Sequence, residues 1–463
     1  MDLTFYCLEP ELRVEGCFIS DATTFHANRA ASARAFVHSL NILIKYARMY
    51  GPDHKRTEAQ FETAWNELQN GLPAAGEGGF LLGVSESLRG RTTAISRSGA
   101  SDCGRQPGRM GMRVAGIMSG TSLDGIDVAV VEIRGRRIKT VGFQTKPYPS
   151  STRIALLSEL DSPQISRLNF FLGELYARAV LEATKRFGPV DLIGCHGQTI
   201  YHQGGVHTLQ IGEPAVIAEQ TGVPVVSNFR ARDIAAGGEG APLVPFVDFR
   251  LFRHPTRTRV ALNIGGIANV TVIPPSARPE DVTAFDTGPG NMVIDALARE
   301  FTKGRQSFDR NGRIAASGQI NRKLLSQLLQ DSYYRKRGPK SAGREQYGAA
   351  LVERMKKSEP SLENLIATAT ALTAATIARP LQSMEGDLIV SGGGVHNCQL
   401  MAEIAAFLPK MHLATSADYG IDPDAKEAIA FAVLAYESWH RRPSNLPSAT
   451  GARRPVVLGD TTR

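Results

Sequence analysis

The chain has 463 residues, 42% hydrophobic and 21% charged, with 45 glycines, five cysteines and a formal net charge of +8. That length and balance suit two or three globular domains with a sizeable core. Cys7, Cys17, Cys103, Cys195 and Cys398 are widely spaced and form no CxxC pair, which argues against a zinc site or a disulfide framework and fits a reducing cytoplasm. Many arginines fall outside the central region, Arg89, Arg91, Arg97, Arg105 and Arg109 before it and Arg441, Arg442, Arg453, Arg454 and Arg463 after it. They read as solvated arms, so no nucleic-acid partner is expected. The N-terminus carries Glu9, Glu11 and Glu15 in place of a basic region with an apolar run, which does not resemble a signal peptide. No apolar stretch approaches the roughly 20 residues that span a bilayer, so no membrane partner is expected either.

In chain order, residues 1–111 come first. Ala33, Phe36, Val37, Leu40, Leu43, Ile44 and Ala47 recur at helical spacing, and Phe61, Trp65 and Leu68 repeat the pattern beyond Gly51-Pro52. This predicts a short helical hairpin, followed from Ser85 to Gly111 by a Ser/Arg/Gly-rich linker. Three readings stand: a start at Met110 or Met112, a fragment joined from another coding region, or a non-catalytic helical appendage, which is favoured. From Met112, a strand at Arg113–Ala115 enters a glycine turn and Gly125–Ile133 forms a second strand. That is a hairpin, not the strand–helix of a P-loop. Further predictions are a helix over Ser166–Lys185, a buried strand over Val190–Cys195 and a hairpin of Arg259–Ile264 with Asn269–Val272 around Gly265-Gly266. Beyond these come helices over Asn291–Phe301, Ile366–Leu381 and Lys426–His440, with a strand at Asp387–Val390. The alternation makes the class α/β. Glycine turns near Gly120 and again at Gly265-Gly266 suggest two related lobes, and the polar, Pro-containing end after Arg441 reads as a loose tail.

Three glycine loops carry the chemistry. The turn Gly120, Thr121, Ser122, Leu123, Asp124, Gly125, Ile126 and Asp127 offers backbone N–H groups and hydroxyls of the kind that cradle phosphate; an ordinary hairpin turn is the plain alternative. The loop Asp286, Thr287, Gly288, Pro289, Gly290 and Asn291 opens a helix, whose N-terminus attracts anions, and Asp286 is placed to hold Mg²⁺. Gly392, Gly393 and Gly394 follow a buried strand and let a flat ligand such as adenine approach the backbone. Each has a plain reading as a turn, but three in this order are hard to explain that way.

That order of loops resembles the actin, hexokinase and Hsp70 ATPase superfamily. More closely, the chain is similar to the anhydro-N-acetylmuramic acid kinases. The matching stretches are Gly116–Asp127, Cys195–Thr199, Asn228–Asp233, Gly237–Leu243, Asn263–Asn269, Asp286–Asn291, Pro339–Glu345 and Glu427–Phe431. The resemblance implies a two-lobed actin/hexokinase-like ATPase fold with a helical N-terminal appendage. Lobe I would span 112–240, with the helix at about 425–440 packing back on it. Lobe II would span 241–424, and 441–463 would be a flexible tail. It implies a cytoplasmic kinase using ATP and Mg²⁺. Water attacks the anomeric carbon of 1,6-anhydro-N-acetylmuramic acid, the ring opens, and O6 takes the γ-phosphoryl group to give N-acetylmuramic acid 6-phosphate, a step in peptidoglycan recycling. The resemblance places the general base at Asp233 and a sugar-contacting partner at Glu427. Without it, Asp233 reads equally as an ion-pair partner of Arg230 or Arg232. His196 and Gln198 are within reach of the sugar, and Arg230, Arg232 or Arg344 would suit its lactyl carboxylate. A homodimer is the suggested assembly. Two departures stand out: Met118 occupies the place of the superfamily's metal-placing Asp, and Asn228 stands where many relatives have Asp. The competing readings are a nucleotide-dependent sugar sensor of the same fold, which needs no base, and a kinase for a different hexose.

Overall fold

A computed structural model describes residues 111–463, apart from residues 121, 122, 124 and 337–339. The helical hairpin and linker expected before Gly111, and the candidate residues Thr121, Ser122 and Asp124, lie outside the described residues.

Two mixed sheets organise the chain. The first is built from β1 (Met112–Met118), β2 (Gly125–Arg134), β3 (Arg137–Pro147), β4 (Leu192–Cys195), β7 (Val225–Ser227) and β13 (Asp460–Thr462), in the order β13-β7-β4-β1-β2-β3. β5 (Gln198–Gln203) and β6 (His207–Ile211) form a separate ribbon. The second sheet runs β10-β9-β8-β11-β12, from β8 (Arg259–Ile264), β9 (Ile267–Ile273), β10 (Thr283–Pro289), β11 (Gly386–Ser391) and β12 (Met411–Thr415). Both begin with an antiparallel hairpin, Met112 facing Ile133 in one and Arg259 facing Ile273 in the other. The period-2 apolar pattern behind the prediction is seen in burial: Ile126, Val128 and Val130 face one core, Val114, Val131 and Ile133 the other.

The helices that matter below are α1 (Ser162–Phe187), α2 (Phe229–Ala235), α3 (Val244–Phe252), α4 (Met292–Phe301), α5 (Leu362–Ala378) and α6 (Lys426–Trp439). α1 begins four residues before the predicted Ser166 because Asp161 and Gln164 make a reciprocal capping box. α5 is buried nearly all round, with Thr368, Thr370, Thr373 and Thr376 among its buried side chains. Thr368 and Thr370 bond back to carbonyls four residues earlier, which lets a polar side chain enter a core.

α6 lies directly on the first sheet, and two glycines make that possible. A Cβ at Gly116 of β1 would collide with the Ala428 carbonyl, and one at Gly194 of β4 with the Phe431 carbonyl. Bare backbone at these two sites lets the helix sink onto the strands and bury Ala428, Phe431, Ala432 and Ala435. Gly116, which opens the first loop motif, is therefore explained by packing.

The segment after Arg441 differs from the flexible tail expected. Ser444, Asn445, Leu446, Thr450 and Leu458 are at most 3% exposed, and β13 adds to the first sheet by pairing antiparallel with β7. Asp460 of that strand accepts from Asn228 at 2.9 Å and Arg232 at 3.2 Å, which gives Asn228 a structural partner. A polar composition concealed a folded segment whose buried groups are mostly small and hydrogen-bonded.

Candidate active site

On the first sheet, the loop between β1 and β2 is held from below. Ser119 is 2% exposed and its hydroxyl lies 2.7 Å from that of Tyr176, which lies 3.1 Å from the Tyr148 hydroxyl. Tyr148 donates to Gln198 Oε1 at 3.3 Å, and Gln198 Nε2 donates to the Gly120 carbonyl at 3.4 Å. Burial pushes the Tyr148 hydroxyl up to about 12, so the network stays neutral. The loop closes with Leu123 N–H bonded to the Gly120 carbonyl and Leu123 at a φ of 58°, a left-handed conformation that a leucine rarely adopts. Such strain is often found at functional turns. A cleft of about 370 Å³ opens beside it, lined by Leu123, Leu156, Leu157, Ser158, Gln198 and Ile200 among others.

The described part of this loop differs from a phosphate cradle in its second half. Gly125 is needed because a Cβ there would sit 2.6 Å from the Lys146 carbonyl; Ile126 is 1% exposed in the core; and Asp127 accepts from Thr145 at 2.6 Å on the sheet surface. These three belong to β2, which leaves Gly120 and Leu123 at the turn itself.

His196 follows β4 and is 4% exposed, its ring 4.5 Å from Phe431. Arg230 Nε donates to His196 Nε2 at 3.0 Å, which assigns the imidazole proton to Nδ1. Burial and the neighbouring guanidinium hold this histidine well below its ordinary range, so it is neutral and acts as an acceptor for Arg230. Arg230 also donates to the Gly240 carbonyl at 2.9 Å. Desolvation pulls its guanidinium down to about 10, opposed by the charges of Glu427 and Asp233. Of the three residues expected to touch sugar, His196 and Gln198 are buried and engaged within the protein, and Arg230 alone is partly exposed.

Asp233 is fully buried on α2; Oδ2 accepts from Gly240 N at 2.9 Å, and Oδ1 accepts from Asn445 at 2.7 Å and Thr450 at 2.8 Å. A carboxylate has about four acceptor positions, so these three bonds hold it in one orientation and leave one lone pair on Oδ2.

Glu427 stands in the first turn of α6, partly exposed. Desolvation raises its carboxyl above the ordinary range, with Lys426 and Arg230 pulling it back and Asp248 raising it further. Beside it, Lys426 is 2% exposed and pairs with Asp248 of α3 at 3.0 Å; Asp248 also accepts from Thr271 of β9 at 2.8 Å. That pair ties α6, and thus the first sheet, to the second.

On the second sheet the glycine loops lock together. Gly290 and Asn291 donate their backbone N–H groups to the carbonyls of Gly266 and Gly265 at 2.9 and 2.8 Å. A Cβ at Gly290 would collide with the Gly265 carbonyl, and one at Gly288 would sit 2.9 Å from Thr376 Oγ1. The donors expected to hold phosphate at the start of α4 are therefore spent on the β8–β9 turn. Gly392, at a φ of 82°, has its Cβ position filled by Asn263 and Ile264, and Gly394 meets the Ile264 side chain. Gly265, Gly266 and Gly393 remain open: the nearest atoms to their Cβ positions are at 3.7, 3.3 and 3.9 Å. Those three glycines form the accessible face of the platform.

Asp286 sits at a bulge in β10, where the register with β9 shifts before Gly288. Its Oδ2 accepts from Ala342 N at 2.9 Å, its backbone N–H donates to the Lys340 carbonyl at 3.0 Å, and Tyr333 donates to its carbonyl at 2.9 Å. Lys340 Nζ lies 4.4 Å from the centre of the Tyr333 ring. Desolvation raises Asp286 to about 6, against the Ala342 N–H and the Lys340 charge. A partly exposed carboxyl with that proton affinity is suited to acid–base work near neutrality.

The platform is joined to the sugar-side cluster. Gly392 N donates to the Pro423 carbonyl at 3.0 Å, and His396 pairs with Asp424 at 2.9 Å. Residues 422–427 therefore run from the open glycine face to Glu427. Among the described residues no group of three or more His, Cys, Asp or Glu gathers as a metal site, and no helix is long and apolar enough to cross a membrane.

The family model for anhydro-N-acetylmuramic acid kinase matches residues 112–463. A relative of that name from Caldanaerobacter subterraneus subsp. tengcongensis is 43% identical over 378 residues, covering 75% of this chain and 96% of the relative. Another, from Bacillus cereus strain G9842, is 46% identical over 380 residues, covering 76% and 99%. The chain belongs to the anhydro-N-acetylmuramic acid kinase family and is a sugar kinase.

Proposed function

We propose that this chain, a kinase of the actin/hexokinase type, uses ATP and Mg²⁺ to open 1,6-anhydro-N-acetylmuramic acid and phosphorylate it. A water adds to the anomeric carbon, the bond from that carbon to O6 breaks, and O6 takes the γ-phosphoryl group. The products are N-acetylmuramic acid 6-phosphate and ADP, in cell-wall recycling within the cytoplasm. The observation that carries this reading is the continuity from the open glycines to Glu427 and Arg230 through residues 422–427.

Asp233 takes the role of base toward the water, its carboxylate aimed by Gly240, Asn445 and Thr450 with one lone pair of Oδ2 unused. Glu427 and Arg230 lie on the sugar side, with Arg230 facing the lactyl carboxylate. Arg232 is held by Asp460, and the side chain of Arg344 lies outside the described residues. Asp286, partly exposed at the bulge of β10, would hold Mg²⁺ directly or through water, and the ion would offset phosphoryl charge.

The test is phosphoryl transfer from MgATP across a panel of anhydro and ordinary amino sugars, in ¹⁸O-labelled water, for the parent and Asp233→Asn. Turnover on the anhydro sugar with label at the anomeric carbon is expected, with severe loss in the variant. Equal turnover on open-ring N-acetylmuramic acid, or product without label, would reject the reaction.

A further inference from the structure

The buried network under the β1–β2 turn runs in one direction. Gln198 is 2% exposed, so both ends of its amide need partners inside the protein. Its Nε2 donates to the Gly120 carbonyl at 3.4 Å, which leaves Oε1, an acceptor only, to the Tyr148 hydroxyl at 3.3 Å. A hydroxyl has one proton. Tyr148 gives its own to Gln198, so at 3.1 Å its oxygen accepts from Tyr176. Tyr176 in turn accepts from Ser119 at 2.7 Å. The chain therefore leaves the turn at Ser119, passes through Tyr176 of α1 and Tyr148, and comes back at the next residue, Gly120. Leu123 N–H reaches the same Gly120 carbonyl at 3.2 Å, so both lone pairs of that oxygen are filled.

We propose that Tyr148 is a positioning residue for ATP, acting through Gln198 to keep the Gly120 carbonyl turned away from the phosphoryl groups. A carbonyl oxygen aimed at a triphosphate repels it, and glycine has no side chain to resist such a turn of its peptide. The Gln198 amide supplies the hold. With Oε1 fixed by Tyr148, the end that meets Gly120 is the NH₂ group; with the amide reversed, two oxygens would face each other. At 3.4 Å this bond is the longest of the four in the chain, and so the one that depends most on the amide's orientation. Tyr176 stands one bond further back, because without its hydroxyl Tyr148 still has a proton for Gln198. The effect on ATP rests on the reading of the β1–β2 turn as a phosphate site; the hold on Gly120 does not.

The test uses the full chain, labelled with ¹³C at glycine carbonyls and ¹⁵N in threonine. Gly120-Thr121 is the one Gly-Thr pair in the sequence, so a carbonyl-to-amide correlation spectrum holds a single signal, which reports on this carbonyl. Tyr148→Phe keeps the ring and removes the hydroxyl. It is expected to move the ¹³C shift of that signal upfield, as for a carbonyl that has lost a donor, and Tyr176→Phe to move it less. By calorimetry, Tyr148→Phe weakens binding of a non-hydrolysable ATP analogue about three- to tenfold, as for one lost hydrogen bond. AMP, which lacks the outer phosphoryl groups, stays within about twofold of its parent affinity. Gln198→Met has the same effects, and adding Tyr148→Phe to it brings no further loss, as expected when one residue acts through the other. An unmoved carbonyl signal in a folded Tyr148→Phe protein, or equal weakening of AMP, would overturn the proposal. A moved signal with unchanged affinity for the analogue would overturn the role in ATP binding and with it the phosphate reading of the turn, whereas the overall reaction is judged separately by turnover of the anhydro sugar. If Tyr148→Phe does not fold, Gln198→Met carries the same comparison.

Discussion

Asp233 and Asp286 each stand beside a glycine-rich turn, yet their neighbourhoods leave different things free. Around Asp233, three donors from two distant segments close on one buried carboxylate, and the nearby glycines are bare because the chain needs room for itself. Around Asp286, one backbone donor occupies one oxygen, desolvation raises the proton affinity, and the side chain keeps partial access to solvent. A glycine-flanked acid can thus be aimed by its own chain or left free to meet an ion, and the number of donors around it tells the two apart.

Replacing the two acids separately is the sharpest way to break that contrast. Asp233→Asn should lower kcat by about 10²–10⁴, measured by ADP release. Asp233→Ala should in addition strand three buried donors at about 1–3 kcal/mol each, so the urea midpoint collapses. Asp286→Asn should instead raise the Mg²⁺ needed for half-maximal turnover, with the unfolding midpoint at neutral pH no lower than that of the parent. An Asp233→Asn protein that keeps its turnover would reject the role of base. Next in size is the tie between the sheets. Lys426→Met leaves Asp248 charged and buried, and about 3–5 kcal/mol of stability should go with it; an unchanged midpoint would mean that the pair is not formed in solution. Gly116→Ala pushes a methyl into the Ala428 carbonyl and should cost about 1–3 kcal/mol, read as a shifted thermal midpoint.

The smallest effect is in the pH profile. Asp286, raised to about 6, must lose its proton to hold Mg²⁺, so at limiting Mg²⁺ kcat/KM should fall as pH drops through that value. Glu427 is raised in the same direction and would steepen the limb. The stability sign is opposite. The native state holds the Asp286 proton more tightly than the unfolded chain does, so its contribution is full below the ordinary carboxylate range and is lost as pH rises through about 6. Asp286→Asn should therefore compare best with the parent at neutral pH and worst near pH 4. An activity limb that is unchanged in a residual-activity Asp286→Asn assay would point to another titrating group.

Local pattern was enough for the two hairpins and for α1, α4, α5 and α6, because alternation and 3.6-residue spacing are written in neighbouring residues. β3 escaped because an edge strand with no buried residue, and with Arg137 and Lys139 exposed, shows little apolar alternation. The C-terminal segment escaped because its burial depends on Ser444, Asn445 and Thr450 meeting partners far back in the chain. Site motifs were visible as types of loop, but their availability was not. Gly290 looks like a phosphate donor until its N–H is seen to be spent on Gly266, and nothing near Asp233 in the sequence tells that residues more than 200 positions later orient it.

The first sheet draws its strands from both ends of the described chain, with β13 at its edge and α6 across its face. On the ribosome, β1, β2 and β4 emerge long before the helix that covers them. Gly116 and Gly194, bare so that α6 can settle, would meanwhile leave an uncovered apolar face exposed to the cell. Long-range closure of this kind is slow and leaves intermediates prone to aggregate. The arrival of α6, long after β4, would then decide when that face is covered.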